Sequence, residues 1–176
     1  MHEKDTNNRD KLNVWIGLTG NGRLVGPIFF DANINGEAYL DVLVNEVVPQ
    51  IRNIYRRQFG RVWWFQDGEP AHRRVIVRDF LTQTFGAHVV AVGHAVEYPP
   101  RSPDLTPLDF FLWGYLKHKV YEVGQLATTM AELLQKIEDE AGRIPQQLIR
   151  AAMNAMVTSA QKCLDNNGRH IEGRSS

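Results

Sequence analysis

Two carboxylates stand out for their company: Asp67 in Phe65-Gln66-Asp67-Gly68, and Asp109 at the end of Ser102-Pro103-Asp104-Leu105-Thr106-Pro107-Leu108-Asp109. Acidic side chains delivered by separate elements hold divalent cations. In phosphodiester chemistry such ions activate the attacking oxygen and stabilise the leaving one. Two such carboxylates can be read in this chain, and no third ligand can.

Each also has a plain structural explanation. Asp-Gly after an apolar run is ordinary turn chemistry. Thr106-Pro107-Leu108-Asp109 reads as a helix start, with Thr as N-cap, Pro first and an acid third, where the helix dipole favours a negative charge whatever the protein does. His72 reads either as a neighbour of Asp67 or as a structural residue at a helix start. His88, His94, His118 and His170 show no ligand spacing, which argues against zinc.

The stretch from Trp63 to Tyr121 nevertheless resembles the second half of the catalytic domain of mariner-superfamily transposases. The similarity is carried by Trp64-Phe65-Gln66-Asp67-Gly68-Glu69-Pro70-Ala71-His72 and by Tyr98-Pro99-Pro100-Arg101-Ser102-Pro103-Asp104-Leu105-Thr106-Pro107-Leu108-Asp109-Phe110-Phe111-Leu112-Trp113. Weaker matches, from Leu12-Asn13-Val14-Trp15 through Gly26-Pro27-Ile28-Phe29-Phe30 to the carboxyl end, extend it over nearly the whole chain. The resemblance implies an α/β fold, a ribonuclease-H-like mixed sheet flanked by helices. It implies cut-and-paste DNA transposition, with Asp67 as the second and Asp109 as the third catalytic, metal-binding carboxylate, and Asp104 in the preceding turn. Mg2+ or Mn2+ is the implied cofactor and DNA the implied partner. A homodimer is among the assemblies it allows, and the nucleus is the compartment it suggests. The interval from Asp67 to Asp109 exceeds the commonest mariner spacing, which implies a variant subgroup.

The family's first catalytic Asp belongs on a strand upstream of Val14-Trp15-Ile16-Gly17. Residues 1–11 have no apolar alternation with which to build it, so Asp5 and Asp10 read as solvated charges on a mobile terminus. The expected fold therefore lacks its first, central strand. To close that gap, Leu12 to Thr19 is expected to pair directly with Arg61 to Gln66. The helix-turn-helix region that reads transposon ends is likewise missing from this sequence. The expectation is a partial catalytic domain over 12–122 with a helical extension over 123–176, inactive alone. The alternatives are a non-catalytic nucleic-acid-binding or protein-interaction module and a non-functional remnant.

Composition suits a globular domain with a real core: 176 residues, 43% hydrophobic and 23% charged. Cys163 is the only cysteine, so no intrachain disulfide forms, and no apolar run suits a membrane span. Twenty basic and twenty acidic residues cancel, which argues against tight DNA binding by net charge alone. Locally the balance differs. Arg52, Arg56, Arg57 and Arg61, then Arg73, Arg74 and Arg78, flank the strand leading to Asp67. Arg56, Arg57, Arg73 and Arg74 are the candidates for a basic rim, against a reading as solvated helix-face charges.

The elements that must position these residues follow from periodicity. Leu12 to Thr19 and Arg23 to Phe30 read as strands joined by Gly20-Asn21-Gly22. A helix follows Asn35-Gly36, with Pro49 expected to kink or divide it. Arg61 to Gln66 reads as a buried aromatic strand. A helix from His72 to Phe85, burying Val75, Ile76, Phe80 and Leu81, then leads to a strand over Ala87 to Val92, a parallel crossover with Asp67 at a strand's carboxyl end. Gly93 to Thr106 reads as irregular. After Asp109, Phe110, Phe111, Trp113, Leu116 and Val120 make an apolar helix. A capping box at Thr129-Met130-Ala131-Glu132 opens another, and Pro145 opens a last one ending at Asn167-Gly168.

Overall fold

Alternating apolar residues around Gly20-Asn21-Gly22 fold back as an antiparallel hairpin, β1 (Asn13–Leu18) and β2 (Leu24–Phe30). The structure, a computed structural model, describes residues 12–31, 33–98, 106–122, 124 and 126–165. The terminus carrying Asp5 and Asp10, the turn carrying Asp104, His170, the Cys163 side chain and the helix end at Asn167-Gly168 lie outside the described residues. The hairpin register slips between Trp15 and Gly17, opposite Gly26, whose φ of 90° is a conformation that suits glycine. The turn is pinned from afar: the Asn21 carbonyl accepts from Gln146 Nε2 at 2.8 Å and Arg150 Nε at 3.0 Å.

Asn35 caps α1 (Gly36–Val42) by accepting from the Ala38 amide at 2.8 Å. The helix widens into a π-helical stretch, Leu43–Val47, and continues as α2 (Val48–Tyr55). Pro49 has no N–H to bond back along the helix, and the widened turn beside it carries the chain past the proline instead of ending the helix there. A 3₁₀ segment, Arg56–Arg61, then leads to β3 (Trp64–Phe65). α3 (Val75–Phe85) crosses to β4 (Val89–Val90), which pairs parallel to β3, so the expected crossover is present. Leu108–Leu112 is π-helical and runs through α4 (Trp113–Lys117) into a second π-helical stretch, His118–Glu122. α5 (Met130–Gly142) and α6 (Gln146–Asp165) complete the described chain. Thr129 and Glu132 form the full reciprocal capping box that opens α5.

Three expectations are corrected. The aromatic strand is only two residues long, with Trp63 and Phe65 about half exposed at 49% and 48%. The helix thought to begin at His72 begins at Val75, because residues 70–73 form a turn. The buried stripe is therefore Val77, Leu81 and Phe85, while Val75 and Ile76 face solvent. Finally, β1 does not pair with β3: the hairpin and the β3–β4 pair are separate two-stranded sheets.

Packing explains the separation. One buried cluster unites Val25 and Ile28 of the hairpin with Tyr39, Val47, Trp64, Leu81 and Val89. A second joins Ile16 to Leu112, Leu116, Ala141, Ile144 and Ile149. The hairpin is held from both faces, on one by a cluster that β3 and β4 share and on the other by α4, α5 and α6. Sliding it by one strand spacing, ~4.8 Å, would tear both clusters. A cavity of about 370 Å³ lies between the sheets, lined by residues 15–19 on one side and 61–67 on the other.

Candidate active site

Asp67 follows β3 by two residues and sits where the chain leaves the sheet. Its Oδ1 accepts from the Glu69 amide at 3.2 Å, so the Asp-Gly turn is real. The same oxygen lies 2.7 Å from His72 Nδ1. An ionised carboxylate can only accept, so Nδ1 carries the proton in that bond. The His72 bond holds the Asp67 carboxyl below its ordinary range, with help from the Glu69 amide and against partial burial.

His72 is itself fixed. Its ring lies 4.5 Å from that of Tyr39, a residue almost fully buried. The Tyr39 hydroxyl donates to Gln66 Oε1 at 3.1 Å, Trp64 Nε1 donates to the same oxygen at 3.1 Å, and Gln66 Nε2 donates to the His72 carbonyl at 3.3 Å. Burial pushes the Tyr39 phenol far up, so it remains a neutral donor. Gln66 thus organises the turn that presents Asp67. Sequence reasoning placed it in the motif without a role. The available signal was a glutamine between aromatic residues in a short strand, where a buried amide must find partners.

Asp109 enters from the other side, at the start of the helix that becomes α4. The Thr106 carbonyl accepts from the Asp109 amide at 2.9 Å and the Phe110 amide at 3.3 Å. The Thr106 hydroxyl is bonded to the Asp109 carboxyl and lies 2.6 Å from the Tyr98 hydroxyl. Desolvation raises the Asp109 carboxyl above its ordinary value, the nearby Asp67 charge raises it further, and the Thr106 bond opposes both. The fold therefore brings the two carboxylates within electrostatic reach of one another. Among the described residues, no group of three or more His, Cys, Asp or Glu could hold a metal ion.

The arginines divide. Arg52 lies over the Phe59 ring at 4.1 Å, and Arg78 donates to the Gly93 carbonyl at 3.0 Å, so both brace the fold. Arg74 packs its stem against Gly36 and stands 3.9 Å from Glu37. Arg56, Arg57, Arg73 and Arg74 are all exposed. His88 stacks on Trp63 and His118 bonds Glu122, which gives both local structural work.

No protein-family model matches the chain. The Tc3 transposase of Caenorhabditis elegans is 28% identical over 158 residues, spanning 90% of this chain. The chain corresponds to 44% of that relative's length. A Mos1 transposase catalytic domain solved with Raltegravir and Mg superposes with a TM-score of 0.75 at 20% identity, covering 94% of this chain and 80% of that one. The Mos1 mariner catalytic domain solved as such gives 0.73 at 19% identity, covering 92% and 76%. A Mos1 paired-end complex with Mn gives 0.74 at 17% identity, covering 96% and 48%. The structural likenesses establish the ribonuclease-H-like fold of the Mos1 catalytic domain, and the sequence likeness, below 30% identity, is to a transposase.

Proposed function

We propose that Asp67 and Asp109 are the carboxylate ligands of a divalent cation in a DNA-cleaving and DNA-joining domain that works within a longer transposase. The observation that carries this is the placing of Asp67 just past the carboxyl end of a parallel strand, within electrostatic reach of Asp109 at a helix start on a separate element. Hard oxygen donors suit Mg2+ or Mn2+, and Mg2+ commonly takes one or two carboxylates together with substrate phosphates. When bound, such an ion polarises a phosphoryl oxygen and makes a water or 3′-hydroxyl a better nucleophile.

The chain's own residues do the positioning. His72 and the Glu69 amide fix one oxygen of Asp67, while Thr106 orients Asp109. Arg56, Arg57, Arg73 and Arg74 supply charge for a DNA backbone, each phosphate contact contributing to a salt-dependent affinity. Two carboxylates hold the ion weakly, and the chain alone is expected to cleave no DNA. The Mos1 structures with Mn and Mg and the Mos1 paired-end complexes support this choice of ion and partner. A DNA-bound homodimer and a nuclear location remain part of the proposal.

Replacing the ion with Fe2+ and adding ascorbate tests the reading, because hydroxyl radicals cut the polypeptide beside a bound metal. Cuts near residues 67 and 109 that vanish in Asp109→Asn are expected. Cuts elsewhere, or cuts that persist in the variant, would overturn it.

A further inference from the structure

Each of the two acids is backed by a buried tyrosine that works through a second polar side chain. Behind Asp67 stands Tyr39, whose hydroxyl donates to Gln66, the residue that in turn holds the His72 carbonyl. Behind Asp109 stands Tyr98, also buried, whose hydroxyl lies 2.6 Å from that of Thr106. The direction of this second relay follows from counting protons. An ionised carboxylate only accepts, so the one hydroxyl proton of Thr106 goes to Asp109. Thr106 then accepts from Tyr98, and a hydroxyl that accepts is polarised into a stronger donor.

Both arrangements tie down one oxygen of an acid. Asp67 spends Oδ1 on the Glu69 amide and on His72, and among the described residues no hydrogen bond reaches its Oδ2. Thr106 has a single proton to give and so engages one oxygen of Asp109. We propose that Tyr98 and Thr106 are positioning residues that make Asp109 a one-oxygen ligand, so that the site selects Mg2+ or Mn2+ against Ca2+. This rests on the reading of Asp67 and Asp109 as cation ligands and adds what decides between ions. Ca2+ takes roughly six to eight oxygens in flexible geometry and uses carboxylates through both oxygens, whereas Mg2+ demands a tighter octahedral shell and commonly takes one or two carboxylates. A carboxylate with one oxygen already committed to a protein donor serves the smaller ion and is a poor ligand for the larger. The Tyr98 ring is buried whatever its hydroxyl does, so removing the hydroxyl alone separates the relay from packing.

The test uses the whole chain, with Mn2+ binding followed by loss of the free-ion paramagnetic resonance signal and Ca2+ binding by displacement of Mn2+. Thr106→Val is expected to bind Mn2+ about tenfold more weakly while Ca2+ binding holds or rises, and Tyr98→Phe is expected to move the same ratio less far. Thr106→Ser, which keeps the hydroxyl, restores the preference for Mn2+. Because Tyr98→Phe keeps the buried ring, it gives the answer even if Thr106→Val does not fold. Asp109→Asn is expected to lose both ions. If it does, while Thr106→Val and Tyr98→Phe leave the Mn2+ to Ca2+ ratio where it was, the relay is packing alone: the proposal is overturned and the ligands stand. Mn2+ binding that survives in Asp109→Asn, or a wild type that binds no Mn2+, would overturn the ligand reading and the proposal with it.

Discussion

Asp67 and Asp109, the two proposed ligands, are treated oppositely by the fold. Asp67 sits in a turn that supplies it with two donors, and its charged form is stabilised. Asp109 sits at a helix start where the dipole favours charge, yet desolvation and the Asp67 charge outweigh that benefit and its carboxyl rises. One carboxylate is satisfied by protein alone; the other is left with an electrostatic debt that a cation would settle.

The largest expected effect falls on the support of Asp67. Gln66→Ala strands the Tyr39 hydroxyl and the Trp64 indole N–H in the core, and a loss of about 3 kcal/mol is expected by denaturant unfolding, as for two buried donors without acceptors. A loss under about 1 kcal/mol would show that the network does not organise the turn. Asp67→Ala removes bonds to one histidine and one amide on a partly exposed residue, so about 1 kcal/mol is expected. Thr129→Ala, which breaks the capping box of α5 away from the site, is expected to cost a similar ~1 kcal/mol. Unlike Asp67→Ala, it should leave any response to divalent metal unchanged.

Asp109→Asn is the sharpest contrast. It keeps the shape, removes the repelled charge, and is expected to stabilise the metal-free chain by a few tenths of a kcal/mol, the scale of a like-charge pair on a helix surface. Destabilisation of that size would contradict the opposite treatment of the two acids.

The pH dependence separates them further. Asp67 has a folded value below the ordinary 3.8, so its contribution is full above 3.8 and is lost as pH falls through the lower, folded value. Asp109 has a raised folded value, so its penalty is full at neutral pH and disappears as pH falls toward 3.8. The stability gap between the wild type and Asp67→Ala should persist down to 3.8 and close below it. The gap between the wild type and Asp109→Asn should already be closing on the way down to 3.8.

How much of this was legible in the sequence follows the range of each interaction. The hairpin announced itself through two apolar runs around Gly20-Asn21-Gly22, and the capping box through Thr129 and Glu132, since both are local patterns. Asp67 at the end of a parallel strand was readable from strand, helix and strand in order. The stripe of α3 was read correctly at Leu81, with Phe80 partly buried beside it, and wrongly at Val75 and Ile76, which fall in the exposed first turn because the helix starts three residues later than His72 suggested. The separation of the two sheets was not readable, because it depends on helices from distant parts of the chain clamping the hairpin. Neither was the rise at Asp109, which comes from burial and from a charge on another element.

The most direct measurement is a thermal melt of the wild type and Asp109→Asn, each with and without Mn2+. Without metal, Asp109→Asn should melt above the wild type. With Mn2+, the wild type should gain stability and the variant should not, so the order narrows or reverses. An Asp109→Asn chain that melts lower without metal, or that gains as much from Mn2+ as the wild type, would contradict a cation shared by Asp67 and Asp109.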